Sequence, residues 1–511
     1  MKRYMAILIL FCWAMSCDSS SSIEDFAPGT NTDADTDTNT YTDTGTETGT
    51  GTGKEAGKVT DKEAGTNTAT DTGTEAGIET GTETETSTET NTETDTDTLT
   101  YTGTETGADT DTSVEDTEVK GCAEPIGMAV VSDDGVESTT GGGDGEVVTA
   151  RSHGELAEYA GSTEPLYIIV EGELSGGDVE VNSNKTIIGA GSGATLRGIQ
   201  LNMAGEQGGV QKENIIIRNL TISGATDGIA TRQTHHVWID HLDVSSCGDG
   251  LIDITKEADY HTVSWTRFRD HNKTMLINSG TNKEEDADDM NVTLHHNWWD
   301  GATRRNPRAA YGDIHIFNCM YNNNDAFCIG IHSRCMVLSE HNYFQNTNDP
   351  IRQCYQEDPS HPDHGFAKDV GSIFDNTTGA IDNEDELMTV NFEEQYYLYR
   401  FALDAAADVP AFVQAHAGPG PEYSQLGPLP VPGNGAVSVS TSPTLRWTRG
   451  HTATGYQVSF GATNPPPLVG PTTEQTFTPG TLNPRTVYYW RVDQETPEGV
   501  KAGNLWRFRT Q

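Results

Sequence analysis

The chain has 511 residues, with 77 acidic side chains against 31 basic ones and a formal net charge of −46. A field of that sign repels anionic polymers, which excludes a nucleic-acid binder and any polyanion site lacking local cations or a bound metal. The length exceeds one average domain and the composition changes sharply along the chain, so it divides into segments of different kinds.

Residues 1–17 read as a secretory signal: Met1-Lys2-Arg3-Tyr4 is basic, Met5 to Trp13 is apolar, and Ala14-Met15-Ser16-Cys17 follows. The apolar run is too short to span a bilayer. A small residue directly before Cys17 resembles a bacterial lipobox, which predicts lipidation at Cys17; the alternative is an ordinary signal cut nearby. From 18 to 120 nearly every second residue is Thr, alternating with Asp, Glu, Gly and Asn. There is almost nothing apolar to bury despite the period of two, so the segment is expected to be a disordered tether extended by its own charge. Of the eight cysteines, Cys12 and Cys17 fall in the signal. The other six, in an exported chain, suggest disulfides of undetermined pairing, and no CxxC or Cys/His zinc spacing is present.

Between 121 and 425 short β-branched runs recur, among them Val237-Trp238-Ile239-Asp240-His241-Leu242 and Ile314-His315-Ile316-Phe317-Asn318. The residues Asn219, His241, Arg267, Asn297, Asn318 and Asn342 sit in corresponding places, 22, 26, 30, 21 and 24 apart. That period marks a solenoid. With no helical patterns of crossover length between the runs, the fold class is all-β, a right-handed parallel β-helix, with an Asn ladder expected at a repeated turn. Lys283 to Asp289 is an acidic loop, expected to be solvated. Residues 426–435 are a Pro/Gly-rich linker, and 436–511 carry short alternating strands that suggest a small antiparallel β-sandwich. Its stretch Leu482 to Tyr488 resembles the tyrosine-corner region of a fibronectin type III domain, with Trp447 as the core tryptophan.

The chemistry concentrates in the solenoid. Gly248-Asp249-Gly250-Leu251-Ile252-Asp253-Ile254 sets two carboxylates four residues apart. On a straight strand they lie about 13 Å apart, too far to share one ion, so a joint site requires a bend at Gly250. Asp227 lies about one coil earlier, which stacking brings within about 5 to 10 Å. Three carboxylates with no soft ligand favour Ca²⁺ over zinc. Lys273 follows about one coil later, and Thr303-Arg304-Arg305-Asn306-Pro307-Arg308 is the densest basic run in the chain. Acids and bases on one face describe a site that holds a polyanion through local cations.

At these residues the chain resembles the pectate lyases of polysaccharide lyase family one. The resemblance covers roughly Val147 to Asn346 and rests on five stretches in order: Ser183 to Gly189, Val237 to His241, Asp249 to Ile254, Thr293 to Asn297 and Arg305 to Arg308. It implies that Asp227, Asp249 and Asp253 ligate Ca²⁺, that Lys273 contacts a substrate carboxylate, and that Arg305 is the catalytic base. The implied reaction is β-elimination on polygalacturonate, releasing unsaturated oligogalacturonates. Many members carry a second arginine five residues after the catalytic one; here that position is Ala310, so either Arg308 reaches the same substrate group from two residues earlier or the subsite is weaker. His235, His236, His241, His295 and His296 are read as structural; Trp298 and Trp299 are expected either to line the cleft for sugar stacking or, since adjacent strand residues face opposite sides, to have one of them packed in the core. Three alternatives stand beside this reading: a pectin lyase on methylated polymer, a glycoside hydrolase on the same fold, and a non-catalytic polysaccharide-binding surface protein. A monomer is expected, bound to a membrane only through the lipid at Cys17.

Overall fold

A computed structural model describes residues 122–206, 211–278, 289–354, 363–383, 390–396, 398, 400–450 and 453–511. The signal, Cys17, the tether and residues 283–288 of the acidic loop lie outside the described residues. All described residues belong to one compact unit, Asp109–Gln511.

Three parallel sheets of ten, eight and nine strands run the length of the solenoid. Each coil places one strand in each sheet, as in Thr234–Asp240, then Asp243–Ser245, then Ile252–Thr255. Alternate side chains turn inward, and the β-branched runs seen in the sequence are the inward and outward faces of the ten-stranded sheet. Inside, Phe268, Trp299, Tyr321, Phe344 and Phe374 stack coil upon coil, with centroids 5.2, 4.7, 4.5 and 5.0 Å apart and planes within 15° of parallel. Each such pair is worth about 0.5–1.5 kcal/mol beyond its burial, so the stack ties successive coils together.

The repeated turn differs in detail from the expected ladder. The left-handed residue that turns the chain out of the ten-stranded sheet is Asn219, His241, Trp265, His296, Asn318 or His341, with φ between 47° and 58°. Asn297 and Asn342 come one residue later and bond the preceding coil's backbone: Asn297 Nδ2 donates to Val263 O at 2.8 Å and Asn342 Nδ2 to Ile316 O at 2.9 Å. Arg267 opens a strand instead. An Asn-to-Asn ladder does form at a different turn, where Asn376 donates to Asn346 and Asn346 to Asn323 at 2.7 and 3.3 Å.

The expected disulfides are absent among the described residues. Cys319, Cys328 and Cys335 are fully buried in the apolar interior, where they pack as small hydrophobes and burial pushes their thiols up.

Residues 436–511 form two sheets, mostly antiparallel, around Trp447, Trp490 and Trp506. The Tyr488 hydroxyl accepts from Asn483 N at 3.0 Å, and Trp447 is only 3% exposed, as expected for that core. The expected linker is not a free spacer. Leu426 and Leu429 pack on Tyr167, Ile188, Ile216 and Trp238 of the solenoid, and Pro430–Val431 pairs with Arg446 and Trp447. Buried Glu124 accepts from Asn434 Nδ2 at 2.9 Å and Trp506 Nε1 at 3.1 Å, and also from Asn504, so a solenoid carboxylate anchors the sandwich.

Candidate active site

The site lies on the outer face of the eight-stranded sheet. Asp253, Leu276, Arg308, Gly330 and Arg352 stand in register on successive coils. At about 4.8 Å per strand, Asp253 and Arg308 are about 10 Å apart along this row. Strand Ile252–Thr255 begins only after Gly250, so Asp249 and Asp253 do not share a straight strand. The bend is used: Gly250 N donates to Asp227 Oδ1 at 2.8 Å, and a Cβ at Gly250 would lie 2.5 Å from Asp253 Oδ1. The carboxylates of Asp227 and Asp253, from adjacent coils, therefore converge on one glycine that has no side chain to keep them away.

Asp249 stands on the exposed side of the same loop. Its Oδ1 accepts from Lys273 Nζ at 2.7 Å and its carbonyl from His271 Nε2 at 2.6 Å. Both side chains of that ion pair are well exposed, so it is a weak contact that a ligand can displace. The backbone of Lys273 pairs in parallel with that of Arg304 on the next coil, and Arg305 follows with φ of 61°, its carbonyl accepting from Met275 N at 2.8 Å.

Electrostatics match this geometry. Burial pushes Asp253 up to about 7, and the charges of Asp227 and Asp249 add to the rise. Asp227 is raised as well, by burial first and then by Asp249 and Asp178. Acids that raise one another are relieved by a cation, and an all-oxygen set suits a hard one. Among the described residues no three His, Cys, Asp or Glu side chains already stand as a complete cluster, since Asp249 is turned to Lys273. Arg305 is pulled below the usual guanidinium range by burial, then by Arg308 and Arg304, against the opposing pull of Asp253 and Asp249.

Arg308 faces outward with its Nε 3.2 Å from His332 Nε2, and Ala310 is buried beside it. Trp299 is in the core stack. Trp298 is not on the face that carries the carboxylates: it packs with Met320, Val409 and Val413 beneath the helix Val409–His416, with the Arg267 guanidinium 4.3 Å over its ring. His235, His236, His241, His295 and His296 are buried on the ten-stranded sheet and its turn, on another face from the carboxylates. Sequence reading missed His271, His332 and Gln200, whose Oε1 accepts from Asp227 N at 3.1 Å. His332 follows Arg308 by 24 residues, one coil period, which was the available signal.

The sequence profile of the pectate lyase family matches residues 90–422. A pectate trisaccharide-lyase of Bacillus licheniformis is 30% identical over 308 residues, covering 55% of this chain and 83% of that protein. Pectate lyase plyB of Emericella nidulans is 34% identical, covering 45% and 72%. Among solved structures, a pectate lyase from Bacillus sp. N165 in complex with trigalacturonate is 26% identical, covering 58% of this chain and 99% of that one, with a TM-score of 0.47.

Proposed function

The chain belongs to the pectate lyase family, a family of polysaccharide lyases, and on that premise we propose that it is a calcium-dependent pectate lyase that cleaves polygalacturonate by β-elimination. The observation that carries this reading is the meeting of Asp227 and Asp253 at Gly250, with Asp249, Lys273 and Arg305 on the same face. Asp227, Asp249 and Asp253 would hold Ca²⁺, which when bound supplies Lewis-acid stabilisation of charge on a uronate carboxylate.

The remaining work falls to the chain's own cations. Lys273 leaves its exposed pairing with Asp249 to hold a substrate carboxylate, so that charge developing on it meets a fixed positive group. The proton on C5, alpha to that carboxylate, passes to Arg305. Arg305 is suited to take it because burial and two neighbouring arginines favour its neutral form. The electron pair of the C5–H bond forms the C4–C5 double bond, and the bond from C4 to the glycosidic oxygen breaks. That oxygen leaves with a proton from water, and the new end is unsaturated.

Three acids on the cleft face favour pectate over methylated pectin, because a neutral ester needs neither a cation nor a basic clamp. Export, the lipid at Cys17, the tether over 18–120 and a fibronectin type III-like module over 436–511 complete the proposal: an enzyme held out from a cell surface toward a polymer too large to import. The test is absorbance of unsaturated product with polygalacturonate and with methylated pectin, with and without chelator. Product from polygalacturonate alone, lost with chelator and restored by Ca²⁺, supports the reading; equal rates on methylated pectin with chelator present contradict it.

A further inference from the structure

His332 and Arg308 meet in a way that neither the acids nor Arg305 explain. Arg308 Nε lies 3.2 Å from His332 Nε2 across adjacent coils, and His332 N donates to Ala309 O at 2.8 Å. The strand pairing sets Arg308 beside Gly330 and Ala309 beside Ile331, so His332 lies next to Ala310 and the guanidinium crosses to it diagonally. The small side chain at Ala310 leaves that diagonal open. A guanidinium N–H can only donate, so His332 Nε2 is the acceptor, the ring is neutral and its proton sits on Nδ1. Burial, followed by the charges of Arg308 and Arg305, pulls His332 down to about 3, which keeps the ring in that form. With Nε held, the terminal Nη groups remain as a planar fork matched to a carboxylate.

We propose that His332 is a positioning residue that fixes Arg308 on the cleft face, so that the Arg308 fork anchors a second uronate carboxylate of the polymer. This rests on the function proposed above. Binding a carboxylate away from the bond that breaks contributes to substrate affinity rather than to the chemical step, so the effect belongs in KM.

The test measures kcat and KM on polygalacturonate for His332→Phe, His332→Gln, Arg308→Ala and the double variant His332→Phe/Arg308→Ala, with thermal melts for each. Phe keeps the ring and removes the acceptor; KM is expected to rise about tenfold with kcat within about twofold. Gln offers an amide oxygen to the same N–H, and KM is expected to stay within about threefold of wild type. The double variant is expected to match Arg308→Ala, because the histidine acts only through the arginine. Wild-type KM in His332→Phe, a loss in kcat instead, Gln as damaging as Phe, or full additivity in the double variant each overturn the proposal. A wild-type chain inert on polygalacturonate overturns the proposed function and this inference together; an active wild type with an unaltered His332→Phe overturns the inference alone.

Discussion

Gly250→Ala separates the site from the fold that carries it. The Gly250 backbone lies outside the left-handed region that only glycine occupies cheaply, so alanine costs no backbone strain there and acts only through its Cβ. Its Cβ would stand 2.5 Å from Asp253 Oδ1 and 2.7 Å from Oδ2, against the 3.4 Å at which ordinary contact begins. The carboxylate must retreat by about 0.9 Å, and it can, because it is the end of a side chain rather than backbone. Displacing one oxygen ligand on that scale is expected to weaken the cation about 10- to 100-fold, or about 1.4–2.7 kcal/mol. The assay is initial rate of unsaturated product against Ca²⁺ concentration, with a thermal melt alongside. The half-activating Ca²⁺ concentration is expected to rise by that factor, the rate at saturating Ca²⁺ to recover, and the melting temperature to move by no more than about 2 °C. An unchanged Ca²⁺ midpoint would refute the convergence of Asp227 and Asp253 as a cation site, and a large fall in melting temperature would assign Gly250 to the fold.

Further outcomes follow from the same geometry. Arg305 is held low partly by Arg304 and Arg308, so Arg304→Gln raises it; the rising limb of kcat/KM against pH moves to higher pH and the rate below that limb falls, whereas an unmoved limb contradicts Arg305 as the titrating base. Trp298→Ala is expected to cost about 2 kcal/mol of stability, at the lower side for a tryptophan because the ring is only partly buried, with KM unchanged; a raised KM would return Trp298 to the cleft. Glu124→Ala strips the acceptor from Asn434, Asn504 and Trp506, and is expected to lower stability by about 1–3 kcal/mol. Limited proteolysis should then release the C-terminal sheets faster, and wild-type resistance would contradict the anchoring.

The coils were legible because a return every 21 to 30 residues leaves its mark wherever β-branched runs recur, and the acids and cations one coil apart followed from that period. The turn falls one residue before the expected Asn at His296 and His341, because Asn looks like the residue made for a left-handed turn, and two residues before the expected Arg267 at Trp265. Here stacked backbone bonds hold His and Trp in that conformation instead. Cysteine counting failed for a related reason: three of the thiols are inward residues of a β-helix, and nothing in their spacing distinguishes packing from pairing. The Pro/Gly composition of 426–435 concealed Leu426 and Leu429, which dock on the solenoid. The pair Arg308 and His332 required the strand register itself, since the motif that names Arg308 ends before the coil that brings His332.

The central claim is that this chain breaks polygalacturonate by elimination, through a proton taken by Arg305. Mass spectrometry of the products from polygalacturonate with Ca²⁺ tests it most directly. Elimination predicts oligomers one water lighter than the saturated series, formed by wild type and at least about a thousandfold more slowly by Arg305→Ala. Saturated oligomers, or unsaturated ones formed equally well by Arg305→Ala, would contradict it.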